Sequence, residues 1–551
     1  MHARNLGIAF AAGLAALCCV AARAQSPDAL TGRVTSAQEG AMEGVVVSAK
    51  KAGAIVTVSV VTDHDGRYHF PAARLEPGSY AVTIRAAGYD LDGKATAEVE
   101  AGKAATADLK LKPTRNLPAQ LTNAEWLASM PGSDPQKKAL LNCIGCHDLD
   151  RIVRSTHDAD EFMQVFERMA GYYPGSTPDN PQRLVGNARR NIGQGPGLRA
   201  VADYLASVNL SNEETWAYPL KTFPRPTGRA THVVITEYDL PRKVIQPHDV
   251  IVDAQGQVWF TEFAEQFLGR FDPKTLKVSE YPLPVLKQGF PTGTLDLESD
   301  KAGKLWVSMM YQGGVARFDP KTEKFETWAV PKEWQTDATQ QAFMTPVSSD
   351  VDGKVWVKNS DRAQILRLDP ATGKWENFGS FKDPATGKTI TSYGIPADAE
   401  NNLYLLDFAS SDIGRLDAKT GALSIYRGGI ANSRPRRGRF DGENRLWFAE
   451  YGGNAIGRLE PKSGKVDEWV LPTAWGQPYD AVTDKDGNAW TGSMLSDRVS
   501  RLDPKTGQFV EYLLPRRTNI RRVFVDNSTT PPSLWVGNNH GAALVKVEPL
   551  D

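Results

Sequence analysis

The C-terminal part of the chain alternates apolar and polar residues in short runs that recur along the sequence. An aromatic residue marks each recurrence, at gaps of 47, 50, 48, 43, 43 and 45 residues: Trp259, Trp306, Trp356, Tyr404, Trp447, Trp490 and Trp535. Four of these aromatics follow a turn of the form Asp-x-x-Gly, and the fourth and fifth repeats carry Asn in place of Gly. Repeated four-strand units of about 40–50 residues are typical of a β-propeller. The pattern predicts a seven-bladed β-propeller over residues 231–551.

The seventh repeat lacks an outer strand of its own. Residues 235–241 have the same form as the outer strands of the other repeats. We therefore expect this first strand to complete the last blade and to close the ring, which removes the exposed strand edges.

The N-terminal half divides into two units by its hydrophobic period. Residues 26–113 hold short β-branched runs separated by turns, which predicts a small antiparallel β-sandwich. Residues 114–212 change to a helical period, with amphipathic helices expected over 158–170 and 198–210. The fold class is a multidomain, mainly β protein: an N-terminal β-sandwich, a small all-α domain and a C-terminal seven-bladed propeller.

The first 24 residues predict a secretory signal peptide. A basic start is followed by an apolar run over residues 6–22 and a small-x-small cleavage site, Ala22-Arg23-Ala24. No later run reaches the roughly 18 apolar residues of a membrane span. We expect an exported protein without a membrane span, periplasmic or secreted. Lys and Arg number 64 against 65 Asp and Glu, so no basic field indicates nucleic-acid binding.

The chemistry-bearing motif of the chain is Cys143-Ile144-Gly145-Cys146-His147. Cys-x-x-Cys-His is typical of c-type haem attachment: two thiols add to the two vinyl groups, and the histidine becomes the proximal iron ligand. A redox disulfide would leave His147 without a role, and a zinc site lacks a second Cys/His pair at ligand spacing. The motif predicts covalent haem c with iron bound by His147.

The second iron ligand is expected downstream of the motif. The helical segment resembles a small class I cytochrome c, with the haem motif near its start and a closing helix that begins at Leu198. That family usually takes its distal ligand from a methionine. Met169 is the first candidate for the distal ligand because it lies at a helix end before a glycine-containing loop. His157 and Met163 are the alternatives. Iron would then be held by His147 and Met169.

The N-terminal unit resembles the carboxypeptidase regulatory-like domain. The motifs that carry the resemblance are Thr-Gly-Arg-Val from Thr31, the turn Asp63-His64-Asp65-Gly66 with its flanking strands, Pro-Gly-Ser-Tyr from Pro77 and Ala-Gly-Tyr from Ala87. Domains of that family are usually accessory modules, so no chemistry is assigned to this unit.

Two sets of repeat-equivalent positions in the propeller are unusually polar. Eleven residues before each aromatic lie His248, Leu295, Thr345, Tyr393, Arg436 and Tyr479, with Arg521 as the best match in the seventh repeat. Three residues after each aromatic lie Glu262, Met309, Asn359, Asp407, Glu450, Ser493 and Asn538. Both sets are expected near one end of the central channel. His248 and Glu262 would serve as base and orienting partner or as metal ligands, and Arg436 and Arg521 would hold an anion. Alternatively, these charges pair with one another around a watery channel.

The repeat region also resembles the streptogramin (virginiamycin B) lyase family. The resemblance rests on Pro247-His248, on Trp-Phe-Thr-Glu ending at Glu262 and on Trp-Phe-Ala-Glu ending at Glu450. It implies a seven-bladed propeller that opens a cyclic depsipeptide by elimination with magnesium, and His248 and Glu262 as catalytic residues. Tyrosines occupy the places expected for further histidines, and His540 is a possible substitute.

Three functional hypotheses follow. The leading one is an exported c-type cytochrome that passes electrons to a redox partner protein and whose propeller binds a partner or an unknown small-molecule substrate. The alternative is a magnesium-dependent carbon–oxygen lyase with an accessory haem domain. The third is a binding protein that uses haem as a redox sensor. The sequence leaves open whether the protein is an enzyme. The two candidate activities are a haem-dependent oxidoreductase and a carbon–oxygen lyase.

Overall fold

The computed structural model covers most of the chain, and the residues it describes are 27–190, 197–210, 215–345 (without the side chains of 342–345) and 352–551. The predicted signal peptide lies outside these ranges. The described chain is mainly β, as the sequence predicts. Within the described ranges, the helices are too short or too polar to cross a membrane.

The N-terminal strands form two sheets that share one apolar core. They are β1 (Asp28–Ser36), β2 (Gly40–Ala41), β3 (Val46–Lys51), β4 (Val56–Val61), β5 (Arg67–Pro71), β6 (Gly78–Arg85), β7 (Tyr89–Leu91), β8 (Ala95–Val99), β9 (Ala105–Thr106) and β10 (Leu109–Pro113). One sheet is built around β1, and the other has the order β4-β3-β6-β8. In β5, buried Tyr68 and Phe70 alternate with exposed Arg67 and His69. The period of two therefore turns the apolar side of the strand into the core.

The helical segment follows the sandwich. Its helices are α1 (Asn123–Ser129), α2 (Asp134–Ala139), α3 (Leu149–Val153), α4 (Ala159–Ala170) and α5 (Leu198–Val208), with 3₁₀ turns at Leu117–Gln120 and Leu140–Asn142. A capping box between Asp158 and Glu161 starts α4, since each residue satisfies a free backbone N–H of the other. Phe162 and Phe166 are buried on the apolar face of α4, which packs against α5. This agrees with the amphipathic helix predicted over residues 158–170.

The remaining strands form seven successive antiparallel sheets, the blades of the predicted propeller. They are β11 (Val233–Asp239), β12 (Pro247–Val252), β13 (Val258–Glu262), β14 (Phe267–Asp272), β15 (Lys277–Pro282), β16 (Thr294–Ser299), β17 (Leu305–Met309), β18 (Gly314–Asp319), β19 (Lys324–Ala329), β20 (Gln341–Thr345), β21 (Val355–Asn359), β22 (Gln364–Asp369), β23 (Lys374–Gly379), β24 (Leu403–Leu406), β25 (Asp412–Leu416), β26 (Leu423–Arg427), β27 (Pro435–Phe440), β28 (Leu446–Glu450), β29 (Ala455–Glu460), β30 (Lys465–Val470), β31 (Pro478–Thr483), β32 (Ala489–Ser493), β33 (Arg498–Asp503), β34 (Gln508–Leu513), β35 (Val523–Asp526), β36 (Ser533–Asn538) and β37 (Ala543–Pro549). Short 3₁₀ turns lie at Gly228–Thr231, Lys332–Trp334 and Ser360–Arg362.

The seventh blade closes as predicted and then continues into the sandwich. β11 pairs with β37 from Val233 opposite Pro549 to Asp239 opposite Ala543. The other edge of β11 pairs with β4, from Val234 opposite Val60 onward. The prediction that the first strand completes the last blade is confirmed. The sandwich covers the edge that this strand would otherwise expose.

The repeated Asp-to-Trp spacing has a local physical cause. In the sixth repeat, one oxygen of the Asp484 carboxylate accepts hydrogen bonds from the backbone N–H of Asp486 and of Asn488, at 2.9 Å each. Its other oxygen accepts the indole N–H of Trp490 at 2.8 Å. The carboxylate thus ties the turn to the aromatic six residues on. Where Asn replaces Gly in the turn, at Asn401 and Asn444, the backbone is left-handed with φ of 63° and 61°, a conformation that asparagine tolerates.

We expect Asp484→Ala to destabilise its blade. The change leaves the buried indole N–H of Trp490 and two turn amides without their acceptor, which costs about 1–3 kcal/mol. Thermal unfolding followed by tryptophan fluorescence should show a lower Tm. The matched control is Asp486→Ala in the same turn, whose exposed side chain should leave the Tm unchanged. Equal Tm values for the two variants would contradict this account of the repeat.

Candidate functional site

The haem motif lies on one end of the propeller ring. The backbone carbonyl of Ile144 accepts a hydrogen bond from the Asn519 side chain at 3.3 Å. The carbonyl of Gly145 accepts one from Arg521 Nη2 at 2.8 Å. Ile144 itself is fully buried in a core that combines the helices with propeller residues. The two residues inside the Cys-x-x-Cys motif are therefore held directly by the propeller.

One cavity of about 510 Å³ collects the residues that the sequence assigns to the cofactor. Cys143, Cys146, His147 and Met169 all line it. One apolar part of the remaining wall comes from α4 and its neighbours: Ile152, Phe162, Val165, Phe166 and Leu205. The volume lies within the usual range for ligand and cofactor sites.

Both cysteines are free, partly buried thiols. Burial raises the pKa of the Cys143 thiol to about 12. The Cys146 thiol donates to the Pro174 carbonyl at 3.2 Å, and Arg190 Nη1 donates to its sulfur at 3.3 Å. A thiol with a raised pKa is a poor nucleophile in the protein as it stands, so Cys143 does not resemble the low-pKa cysteine of a disulfide oxidoreductase.

His147 has the protonation state of a metal ligand. Its Nδ1–H donates to the backbone carbonyl of Asp148 at 3.3 Å, because that oxygen can only accept. Burial lowers the pKa of His147, which favours the neutral ring. The Nε2 lone pair is the remaining donor atom, and this tautomer is the one that a histidine with a carbonyl partner offers to iron or zinc.

Of the three candidate distal ligands, the structure places Met169 in the cavity. Met163 lies on the same helix and packs against the apolar core instead. His157 lies at the surface, with Nδ1 3.5 Å from the Glu161 carboxylate and its ring 5.5 Å from that of Phe162.

A second chamber, of about 310 Å³, lies between the motif and the propeller. We call the residues that the repeat alignment places eleven positions before each aromatic the inner-strand set. Five of them line this chamber: His248, Leu295, Tyr393, Arg436 and Arg521. Its roof comes from the helical segment: Leu141, Asn142, Gly145, Pro174 and Arg190. Asn142 and Arg190 line the larger cavity too, so the two spaces share a wall. The side chain of Thr345 is outside the described part of the chain.

A hydrogen-bonded chain crosses the floor of this chamber. Asp249 accepts from His248 Nδ1 at 2.8 Å, and His248 Nε2 accepts from the Tyr479 hydroxyl at 3.2 Å. The hydroxyls of Tyr479 and Tyr393 are 2.7 Å apart, and Arg436 Nη2 donates to Tyr393 at 3.0 Å. Burial lowers the pKa of His248 to about 4. The imidazole is neutral near pH 7 and bonded at both nitrogens.

The residues that follow the inner-strand set form a buried ionic network. Arg437 contacts Asp249 at 2.8 Å and Asp296 at 2.7 Å, and Arg522 contacts Asp249 at 3.5 Å. The pairing of charges is thus found at Arg437 and Arg522, the residues directly after Arg436 and Arg521. Within the described residues these two arginines have no carboxylate partner.

Glu262 does not join His248. It lies opposite Pro247 on the neighbouring strand, where the register of β12 and β13 shifts. Its carboxylate contacts Arg242 at 3.3 Å, and Arg242 also contacts Glu265 at 2.6 Å and Glu280. The three carboxylates lie close enough to hold a metal ion. Arg242 already supplies the positive charge that this cluster needs, and burial together with Glu280 raises the pKa of Glu262 to about 9.

The other members of the second polar set likewise lie outside the described lining of the chamber. Met309 packs in an apolar core, and Asn359 and Asn538 bond to neighbouring loops. His540, considered as a substitute catalytic histidine, lies 3.8 Å from the Asp148 carboxylate beside the haem motif. Of the two aligned sets, only the first supplies residues to the described lining of the chamber.

Glu450, from the same set, yields a prediction about pH. Its side chain is fully buried beside Glu468, and burial followed by this second carboxylate raises its pKa to about 8. The native state thus holds a proton that the unfolded state has lost above about pH 4.5, so stability falls as pH rises from 5 to 8. Glu450→Gln should flatten this dependence and raise stability at pH 8 by about 2–4 kcal/mol.

Denaturant unfolding at pH 5 and pH 8 measures the effect. The control Glu443→Gln removes an exposed carboxylate, with 72% of its side chain accessible, and should keep the wild-type pH dependence. Identical slopes for wild type and Glu450→Gln would contradict a neutral Glu450.

Several chamber residues were not found from the sequence. Arg190 comes from the helical segment, and no repeat alignment includes it. Lys358, Phe408, Arg434 and Tyr451 lie in the propeller but outside both aligned sets. Phe408 and Tyr451 each follow the aromatic of their repeat by four residues, and this regular spacing would have indicated them.

Fold and site together define a multidomain β-propeller protein. Residues 382–549 match the model of the virginiamycin B lyase family, and residues 29–112 match the carboxypeptidase regulatory-like domain. No curated protein gives a significant match.

A solved structure supports the propeller fold. A streptogramin B lyase aligns with a TM-score of 0.50 and 20% identity over 58% of this chain and 99% of that one. A virginiamycin B lyase from Staphylococcus aureus aligns with a TM-score of 0.48 and 19% identity over 57% of this chain and 98% of that one. At this identity the likeness concerns the fold and not the activity.

Proposed function

We propose that the protein is an exported c-type cytochrome whose haem is attached to Cys143 and Cys146 and whose propeller binds a substrate or partner beside it. The observation that carries the proposal is the meeting of Cys143, Cys146, His147 and Met169 in one apolar cavity of about 510 Å³. When bound, the haem supplies one-electron oxidation and reduction.

The residues present fit a haem group. The two thiols are free to form thioether bonds, and His147 uses Nδ1 for its hydrogen bond to the Asp148 carbonyl, which leaves Nε2 for iron. The aromatic and aliphatic side chains of α4 and α5 would pack against a porphyrin in this cavity. Arg151 and Arg190 line the same cavity and would pair with the haem carboxylates.

The position of the motif links haem to the propeller. Gly145 and Asn142 form part of the chamber roof, and Arg190 lines both spaces. A molecule in the chamber would therefore lie on the other side of a wall that is one residue thick. Such proximity suits electron transfer between the haem and a bound molecule.

A reduced-minus-oxidised visible spectrum tests the proposal. The protein should be produced in a bacterial periplasm together with the haem-maturation machinery. A c-type spectrum that persists after denaturation is expected. Well-folded protein without any haem absorbance would overturn the proposal.

A second candidate function is carbon–oxygen lyase activity. The observation that favours it is the family match over residues 382–549. Against it, His248 and Glu262 take separate partners, and the helical segment roofs the chamber that His248 lines. A cyclic peptide would need that roof to open.

Magnesium-dependent turnover of a streptogramin B antibiotic tests this second candidate. Turnover that persists in haem-free protein and disappears in His248→Ala would establish the lyase. Absence of turnover in the full-length protein with and without magnesium would exclude it.

A further inference from the structure

We propose that the chamber between the helical segment and the propeller binds a small organic carboxylate with a planar or aromatic body. This inference deepens the proposed function, because it gives the propeller a ligand class. It does not require the haem to be attached. The chamber's volume of about 310 Å³ is at the lower end of the range for ligand sites, which favours a small molecule.

The charge of the chamber is one-sided. Among the described residues that line it there is no aspartate or glutamate, while five side chains are basic: Arg190, Lys358, Arg434, Arg436 and Arg521. Burial lowers the pKa of Arg521 below its usual value, and the charge of Arg436 lowers it further. Cations gathered away from water repel each other, and a bound anion relieves that cost.

Two of these arginines present unused donors. Arg436 and Arg521 are 7% and 4% exposed. Arg436 donates to Met494 Sδ at 3.3 Å and to the Tyr393 hydroxyl, and Arg521 donates to the Gly145 carbonyl. The Nε–H of each has no hydrogen-bond partner in the described part of the chain. The N–H groups of a guanidinium can donate to both oxygens of a carboxylate, and the unpaired Nε–H leaves part of that capacity unused in each of these buried arginines.

The chain balances other buried arginines with its own carboxylates. Arg437 and Arg522 directly follow the two chamber arginines and contact Asp249 and Asp296. Arg437 and Arg522 thus have carboxylate partners, whereas Arg436 and Arg521 have none among the described residues. We infer that the counter-charge in the chamber comes from a ligand.

Aromatic rings define the body of that ligand. The Arg436 guanidinium lies 4.3 Å from the ring centre of Tyr393 and 4.5 Å from that of Tyr451, and both rings line the chamber. Phe263 and Phe408 add further apolar wall. A planar organic group would pack against these rings. Inorganic phosphate would leave them unused.

Isothermal titration calorimetry of the full, haem-loaded protein with benzoate tests the inference. Benzamide has the same shape without the charge and should bind at least tenfold more weakly. Arg436→Gln and Arg521→Gln should each weaken benzoate binding at least tenfold. The control Arg362→Gln changes an exposed arginine outside the chamber lining and should leave the affinity unchanged.

Several results would overturn the inference. They are no benzoate binding, equal binding of benzoate and benzamide, or binding of inorganic phosphate alone. Benzoate binding that appears only in haem-free Cys143→Ala/Cys146→Ala protein would assign the arginines to the haem carboxylates instead. If either arginine variant unfolds, the affinities of the wild-type protein for benzoate and benzamide decide whether the chamber requires a carboxylate. Calorimetry does not need a haem signal, so failure of haem attachment and failure of this site are distinguishable.

Discussion

Replacing both Cys143 and Cys146 by alanine should abolish covalent haem attachment. The two thiols are the only ones in the described chain, and both line the cavity with His147. Without them no thioether can form, so haem per chain after denaturing electrophoresis should fall from about one to none. Haem-dependent peroxidase staining of the gel measures this loss.

The single variants provide the internal control. Cys143→Ala and Cys146→Ala each keep one thiol and should keep a reduced amount of attached haem. Thermal unfolding of the propeller should change little in all three variants, because the blades do not depend on the thiols. Haem staining in the double variant equal to that of wild type would contradict the assigned attachment site.

The second large effect is expected for Met169→Ala. Met169 is the one of the three candidate ligands that lines the cavity. Methionine ligation raises the haem potential relative to a second histidine. Its loss should lower the reduction potential by a sizeable part of the roughly 0.8 V range that axial ligands control. Potentiometric titration followed at the haem absorption bands measures the shift.

Met163→Ala is the matched control for this prediction. Met163 lies on the same helix but packs against the core. Its replacement should leave the potential and the oxidised spectrum at their wild-type values. If Met169→Ala behaves like Met163→Ala, another group is the sixth ligand.

The propeller is predictable from sequence because its stabilising contacts are local and repeated. An aspartate binds its own turn and an aromatic six residues later, as in Asp484 and Trp490. Such a contact fixes the spacing between the aspartate and the aromatic residue, and this spacing is visible in the sequence. Closure by β11 is also predictable, since a blade short of one strand requires a partner with the same pattern.

The site is only partly predictable. Repeat alignment places His248, Arg436 and Arg521 around one channel end, because equivalent strand positions face the same axis. It cannot show that the helical segment roofs that end or that Arg190 contributes to it. These facts depend on contacts between units, such as Arg521 with the Gly145 carbonyl. Equally, only the fold reveals that Glu262 lies opposite Pro247 and binds Arg242.

The most direct test of the central claim is the intact mass of the purified chain under denaturing conditions. The protein should be matured in a periplasm with haem-attachment machinery, and its free thiols should then be titrated. We predict the polypeptide mass plus one haem and no free thiol at Cys143 or Cys146. An unmodified polypeptide with both thiols free would contradict the assignment of this chain as a c-type cytochrome.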